Sequence, residues 1–131
     1  MSIIFYNSIN TKESKRLQKI LEANVSGKKI ETYKNIEVLI KRLNQIDPGS
    51  LVIAVLLIGS LKEMYQAGSI NQSIGETRIM LILPERSTAM TSSGFMIYPR
   101  FIGYIDNDFN DIAMVLRKMQ QNIQGKEHRY E

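Results

Sequence analysis

The chain has 131 residues, 44% of them hydrophobic and 23% charged, enough for one domain with one substantial core and unlike the composition of a disordered chain. It contains no cysteine, which excludes disulfides, thiolate metal sites and cysteine nucleophiles. The formal charge of +4 is uneven: residues 1–43 hold nine Lys/Arg against four Glu, a balance of +5, and the rest hold eight against nine Asp/Glu, a balance of −1.

A basic segment of this kind marks either an acidic-partner surface or the solvated outer faces of helices. No Arg-rich cluster, aromatic ladder or recognition-helix pattern accompanies it, so nucleic acid is not an expected partner. The apolar start, Met1 to Tyr6, has no basic segment before it and is too short for a secretory core. The longest strongly apolar run, Leu51 to Ile58, falls far short of the ~20 residues that span a bilayer. A soluble, cytoplasmic chain without a membrane partner is the expectation.

In chain order, Ser2 to Tyr6 is a short β-prone run followed by the turn composition Asn7-Ser8-Ile9-Asn10. Asn10 is expected to cap the first helix with Glu13 answering it, and Leu17, Ile20, Leu21 and Val25 recur at helical spacing up to Gly27. Lys29 to Tyr33 is a second strand, only partly apolar, which suits a sheet edge. Asn35 caps the next helix; Ile36, Leu39, Ile40, Leu43 and Ile46 form its stripe, and Asp47-Pro48-Gly49 ends it. Leu51 to Ile58 is apolar at every position, as a strand covered by helices on both faces must be.

Ser60 and Glu63 form a capping box for a short helix that stops at Gly68. Arg78 to Leu83 is the fourth strand, closed by Pro84. Ser87 to Gly94 makes a poor helix, with Thr88, Thr91, Ser92 and Ser93 low in propensity. Phe101 to Ile105 is the fifth strand. Asp108 and Asp111 open a last helix with Phe109, Ile112, Val115, Leu116, Met119 and Ile123 on one face. Residues 1–124 then form one domain, and 125–131 a patternless tail that should fray. The alternation predicts an α/β fold with a five-stranded parallel sheet and helices on both faces.

In length, (βα)5 order and its central apolar third strand, the sequence resembles the receiver domains of two-component response regulators. The resemblance covers roughly residues 2–123. It implies a flavodoxin-like three-layer sandwich of strand order 2-1-3-4-5. Receivers hold Mg²⁺ on acidic residues after the first strand, beside a phosphorylatable Asp on the third. A Ser or Thr after the fourth strand and a Lys after the fifth contact the phosphoryl group. Here those positions fall on Tyr6 and Asn7, on or near Val55, near Leu83, and on Asp106 or Asn107. Leu51 to Ser60 contains no carboxylate in any register. The resemblance therefore implies a phosphorylation-independent signalling or interaction module, with no cofactor and no enzymatic activity.

Other chemistry finds little support in the residues. The only histidine, His128, lies in the tail, and no G-x-S-x-G, Walker A or G-x-G-x-x-G pattern occurs. The polar first turn lacks glycine for close approach to a phosphate. Asp106 and Asp108 lie where the fifth strand ends, as solvated turn and helix cap or as part of a cation site. The methionines are expected in packing. Phe95-Met96-Ile97-Tyr98 either extends the sheet and is buried, or forms an exposed apolar patch that binds a protein partner, a second copy included. The alternative function is a small-ligand-binding domain or an enzyme using the carboxyl-end loops, around Tyr6, Asn7, Ser8 and Asp106.

Overall fold

The computed structural model describes residues 1–25, 27, 29–47, 49–70, 76–106 and 109–129, with backbone alone for 76 and 124–129. Five strands alternate with five helices: β1 (Ser2–Asn7), α1 (Lys12–Asn24), β2 (Ile30–Tyr33), α2 (Ile36–Asn44), β3 (Leu51–Leu57), α3 (Leu61–Ala67), β4 (Glu76–Leu83), α4 (Thr88–Phe95), β5 (Phe101–Tyr104) and α5 (Asn110–Arg129). All pairings are parallel, in the order β2-β1-β3-β4-β5. This is the flavodoxin-like (βα)5 architecture, with the sheet as the middle of three layers.

Alternation along the strands sorts the core into two halves. Ile4, Tyr6, Val52, Ala54, Leu56, Ile79 and Leu81 pack under α2, α3 and α4 with Leu39, Met64 and Met90. Phe5, Ile53, Val55, Leu57, Met80 and Ile82 pack under α1 and α5 with Leu17, Leu21, Ile112 and Leu116. β3 sits between β1 and β4 and is covered on both sides, which is why it tolerates no polar residue. The last layer is tied by one buried polar side chain: Gln120 donates through Nε2 to Asn24 O at 2.8 Å and Leu116 O at 3.2 Å. Burying that amide is tolerable because both partners are supplied.

Local chemistry departs from expectation at three places. Helix α1 is capped by Thr11 rather than Asn10: Ser14 N donates to Thr11 Oγ1 at 3.1 Å, and Thr11 N to Ser14 Oγ at 3.0 Å. A serine at the third helical position closes the box as Glu13 would have, and Ser14 is buried with its own hydroxyl bonded to Thr11 O at 2.9 Å. Segment 95–98 is not an extension of the sheet. It ends α4 in a turn, with Ile97 N donating to Gly94 O and Tyr98 N to Phe95 O. Finally, the backbone of α5 is helical through Gly125 to Arg129, beyond the point where the apolar pattern stops.

Helix α4 forms despite its composition because its packing supplies what propensity lacks. Ser87 caps it through Met90 N at 3.1 Å, and Met90 and Gly94 face the sheet. A Cβ on Gly94 would meet Leu81 Cδ2 at 2.7 Å, so glycine is what lets the helix end approach β4 this closely.

Candidate functional site

Open parallel sheets place ligands outside the carboxyl ends of their strands, where the strand order reverses. In this chain that point lies between β1 and β3, the two strands whose following helices go to opposite faces. The loops after these strands carry residues 8–11 and 58–60. They are in direct contact. A Cβ on Gly59 would lie 2.8 Å from Ile9 Cγ2 and 3.0 Å from Ser8 Oγ.

The contact is organised by Glu63, at the third position of α3. The Tyr6 hydroxyl donates to Glu63 Oε1, as does the Ser8 hydroxyl at 2.7 Å. Ser60 caps the helix, accepting from Glu63 N at 3.2 Å, while its hydroxyl lies 3.5 Å from Glu63 Oε2. Asn7 holds the first loop in its turn by accepting from Ile9 N at 3.0 Å. Tyr6 is only 1% exposed, and burial together with the Glu63 carboxylate pushes its phenol well above the ordinary range; Ser8 opposes this in part. Tyr6 is thus a neutral donor at any physiological pH. Of the residues named from the sequence, Tyr6 and Ser8 do meet at one site. Glu63 was legible only as a capping residue, and nothing local in the sequence shows that a phenol 57 positions away reaches it.

The other half of the carboxyl edge is built differently. Leu83 ends β4 fully buried, and its carbonyl accepts from Ile105 N at 3.0 Å. Asp106 follows β5, and both of its carboxylate oxygens accept from Arg86 Nη1, at 2.6 and 2.9 Å. The guanidinium also stacks over the Tyr104 ring at 4.4 Å, and the hydroxyls of Tyr104 and Thr91 lie 3.4 Å apart. The acid at this position is therefore answered by a basic residue from the neighbouring loop, one the sequence gave no reason to single out. Asn107 and Asp108 lie outside the described residues. Val55 pairs with Phe5 and Met80 in the middle of β3, fully buried; the carboxyl end of that strand, beside Asn7, is Leu57, also fully buried.

Segment 95–98 is split by the turn. Phe95, Met96 and Tyr98 are 62%, 72% and 76% exposed, whereas Ile97 is 1% exposed. Ile97 belongs to the core and anchors the turn; the other three form the surface. Tyr98 has φ +51°, a left-handed conformation that bulky residues rarely adopt. A separate open groove of about 310 Å³ runs between α1 and β2, lined by Phe5, Gln18, Glu22, Lys29, Ile30 and Thr32. None of Tyr6, Asn7, Ser8 or Asp106 lines it. No helix among the described residues is long and apolar enough to cross a membrane. Neither a protein-family model nor a curated protein matches the chain.

Proposed function

We propose that this domain is a receiver-like interaction module that acts without phosphorylation and is not an enzyme. The observation that carries the reading is the apolar turn at the end of α4, where Phe95, Met96 and Tyr98 stand in solvent together. No residue from Ser87 to Tyr98 is charged, so the outward residues Thr88, Ala89, Ser92 and Phe95 continue the patch along the helix. Helix α1, by contrast, turns Lys12, Lys15, Arg16 and Lys19 outward. The outer side of α4 is thus uncharged and carries only small residues and hydroxyls beside Phe95, which leaves the apolar turn at its end free of charged neighbours on the helix.

A second copy of the chain is the partner this surface suits. A molecule of net charge +4 repels its own copies, and the neutral α4 face is where that repulsion is least. With aromatic side chains offering roughly 150–250 Å² each, the turn presents about 400 Å² per protomer. Two such patches bury about 800 Å² in total, below the roughly 1,000 Å² that stable interfaces exceed, so this turn alone supports only weak and reversible association. Light scattering across micromolar concentrations should show mass rising toward twice the chain mass. Tyr98→Glu should abolish the rise without changing the denaturation midpoint. A wild type that stays monomeric throughout, and matches the variant in every partner assay, would sink the reading. One observation favours the ligand-binding alternative: the hydroxyls gathered around Glu63 at the reversal point of the sheet.

A further inference from the structure

The β2 edge of the sheet is open. Among the described residues the backbone of β2 pairs only with β1, so its outer side offers N–H and C=O groups to a further strand. Glu31 and Thr32, in its middle, are exposed. The groove of about 310 Å³ runs along this same strand. Phe5, Ile30 and Thr32 form its floor, Gln18 and Glu22 of α1 its wall, and Lys29 stands where β2 begins. Charge decides what fits there. Lys15, Gln18, Lys19 and Glu22 recur at helical spacing, so both lysines stand on the groove side of α1. Lys34 follows the end of β2. All four lysines are exposed, and none is ion-paired among the described residues. The nearby acids are already answered: Glu22 accepts from Gln18 Nε2 at 3.2 Å, and Glu31 pairs with Arg42 at 3.2 Å.

We propose that this edge is a docking site for an extended acidic segment of a partner protein, which adds a strand beside β2. Its backbone pairs with β2, an apolar side chain enters the groove over Phe5 and Ile30, and its carboxylates meet Lys15, Lys29 and Lys34. A second copy of the chain does not suit the edge, because it would set the same lysines against these. A polynucleotide would engage the lysines but leave the strand edge unpaired. The site lies at the opposite end of the sheet from β4, on which α4 packs, so it does not rest on self-association through the α4 turn.

The test is fluorescence anisotropy with a labelled, capped peptide that alternates valine with glutamate. Wild type should bind it saturably at low salt, and Tyr98→Glu should bind it equally, which separates this edge from the α4 surface. Lys15→Glu/Lys29→Glu should weaken binding about tenfold or more at an unchanged urea midpoint, since both lysines are exposed. The same peptide methylated on every backbone nitrogen keeps its charge but loses its donors, and should bind wild type about tenfold more weakly. Replacing its glutamates by lysine should abolish binding. The proposal is overturned if the valine–glutamate peptide does not bind at millimolar concentration. Equal binding of the methylated peptide also overturns it, leaving a charge contact without an added strand, as does equal binding of the lysine peptide. Oligothymidylate of equal charge is the last arm. If it binds more tightly than the peptide and loses affinity in Lys15→Glu/Lys29→Glu, the lysines serve nucleic acid and the proposal falls.

Discussion

The carboxyl edge of this sheet is built in two contrasting halves. Between β1 and β3 the loops touch, and their polar groups turn inward onto one carboxylate beside a buried phenol. Between β4 and β5 the polar groups turn outward: Arg86 and Asp106 pair with 48% and 63% of their side chains exposed, and the nearby helix ends in a turn of solvent-facing apolar residues. The inward half satisfies its own groups and presents little; the outward half leaves surface for something else to cover. Ser8 and Ser60 reach Glu63 from exposed positions, but Tyr6 is buried, and a hydrogen bond from a buried residue counts for more than the same bond in solvent, so the two halves should differ in what each contributes to stability.

The largest effect is expected beneath the inward half. Val55 is fully buried in mid-strand between Phe5 and Met80. Val55→Asp places a carboxylate there without a partner and should cost several kcal/mol, roughly 3–5, or force the group to protonate. Urea denaturation measures it. An unchanged midpoint would mean that water reaches the strand, and the contrast between a sealed and an open half would fail.

Next is the clasp itself. Tyr6→Phe removes a hydroxyl from Glu63 while keeping the ring, and should cost about 1–2 kcal/mol. The same phenol gives a pH signature. Its folded pKa is raised, so its contribution is complete below the ordinary phenol value near 10 and is lost as pH rises beyond it, when the unfolded chain gives up the proton and the fold still holds it. Wild-type stability should therefore fall between about pH 10 and 11 more steeply than that of Tyr6→Phe. Parallel slopes would place the phenol in solvent.

These two expectations also mark how far the sequence could be followed. The layers were legible because β3 is apolar throughout and the helices carry clear stripes, Leu39 and Leu43 in α2 among them, whereas the strand order came only from the resemblance to receivers. The clasp was not, because Ser60 and Glu63 form a signature complete in itself, and only the pairing of β1 with β3 brings Tyr6 to it. For segment 95–98 the residues leave buried strand and exposed patch both open, for another reason. Four consecutive apolar residues carry no period that separates strand from turn, and the outcome hinged on Gly94, whose missing side chain lets α4 close onto Leu81.

On the outward half, Tyr98 occupies a conformation that glycine adopts without penalty, with φ +51° and 76% exposure. Tyr98→Gly should stabilise the isolated domain by up to about 1 kcal/mol while weakening self-association. That pairing of effects would show that the fold does not need the tyrosine and the surface does. A loss of stability would instead make the ring a structural contact, and the two halves would be less different than the geometry suggests.

The smallest effect is expected at the ion pair. Arg86 and Asp106 are close, yet both lie largely in water, where desolvation is slight, salt screens the attraction and each side chain gives up rotamer freedom. A double-mutant cycle of Arg86→Ala and Asp106→Asn should return a coupling of about 0.2–1 kcal/mol, shrinking as salt is raised. Arg86→Ala alone should cost somewhat more than the coupling, because it also removes the guanidinium from the Tyr104 ring, at 4.4 Å a contact that Asp106→Asn leaves in place. A coupling well above 1 kcal/mol, insensitive to salt, would mean that the pair is shielded by something other than the fold itself. In a self-associating protein the natural candidate is the covering copy. Repeating the cycle in a Tyr98→Glu background separates the two, since a pair shielded by a partner falls back to the exposed value once the partner is gone, while a pair shielded by its own loops does not.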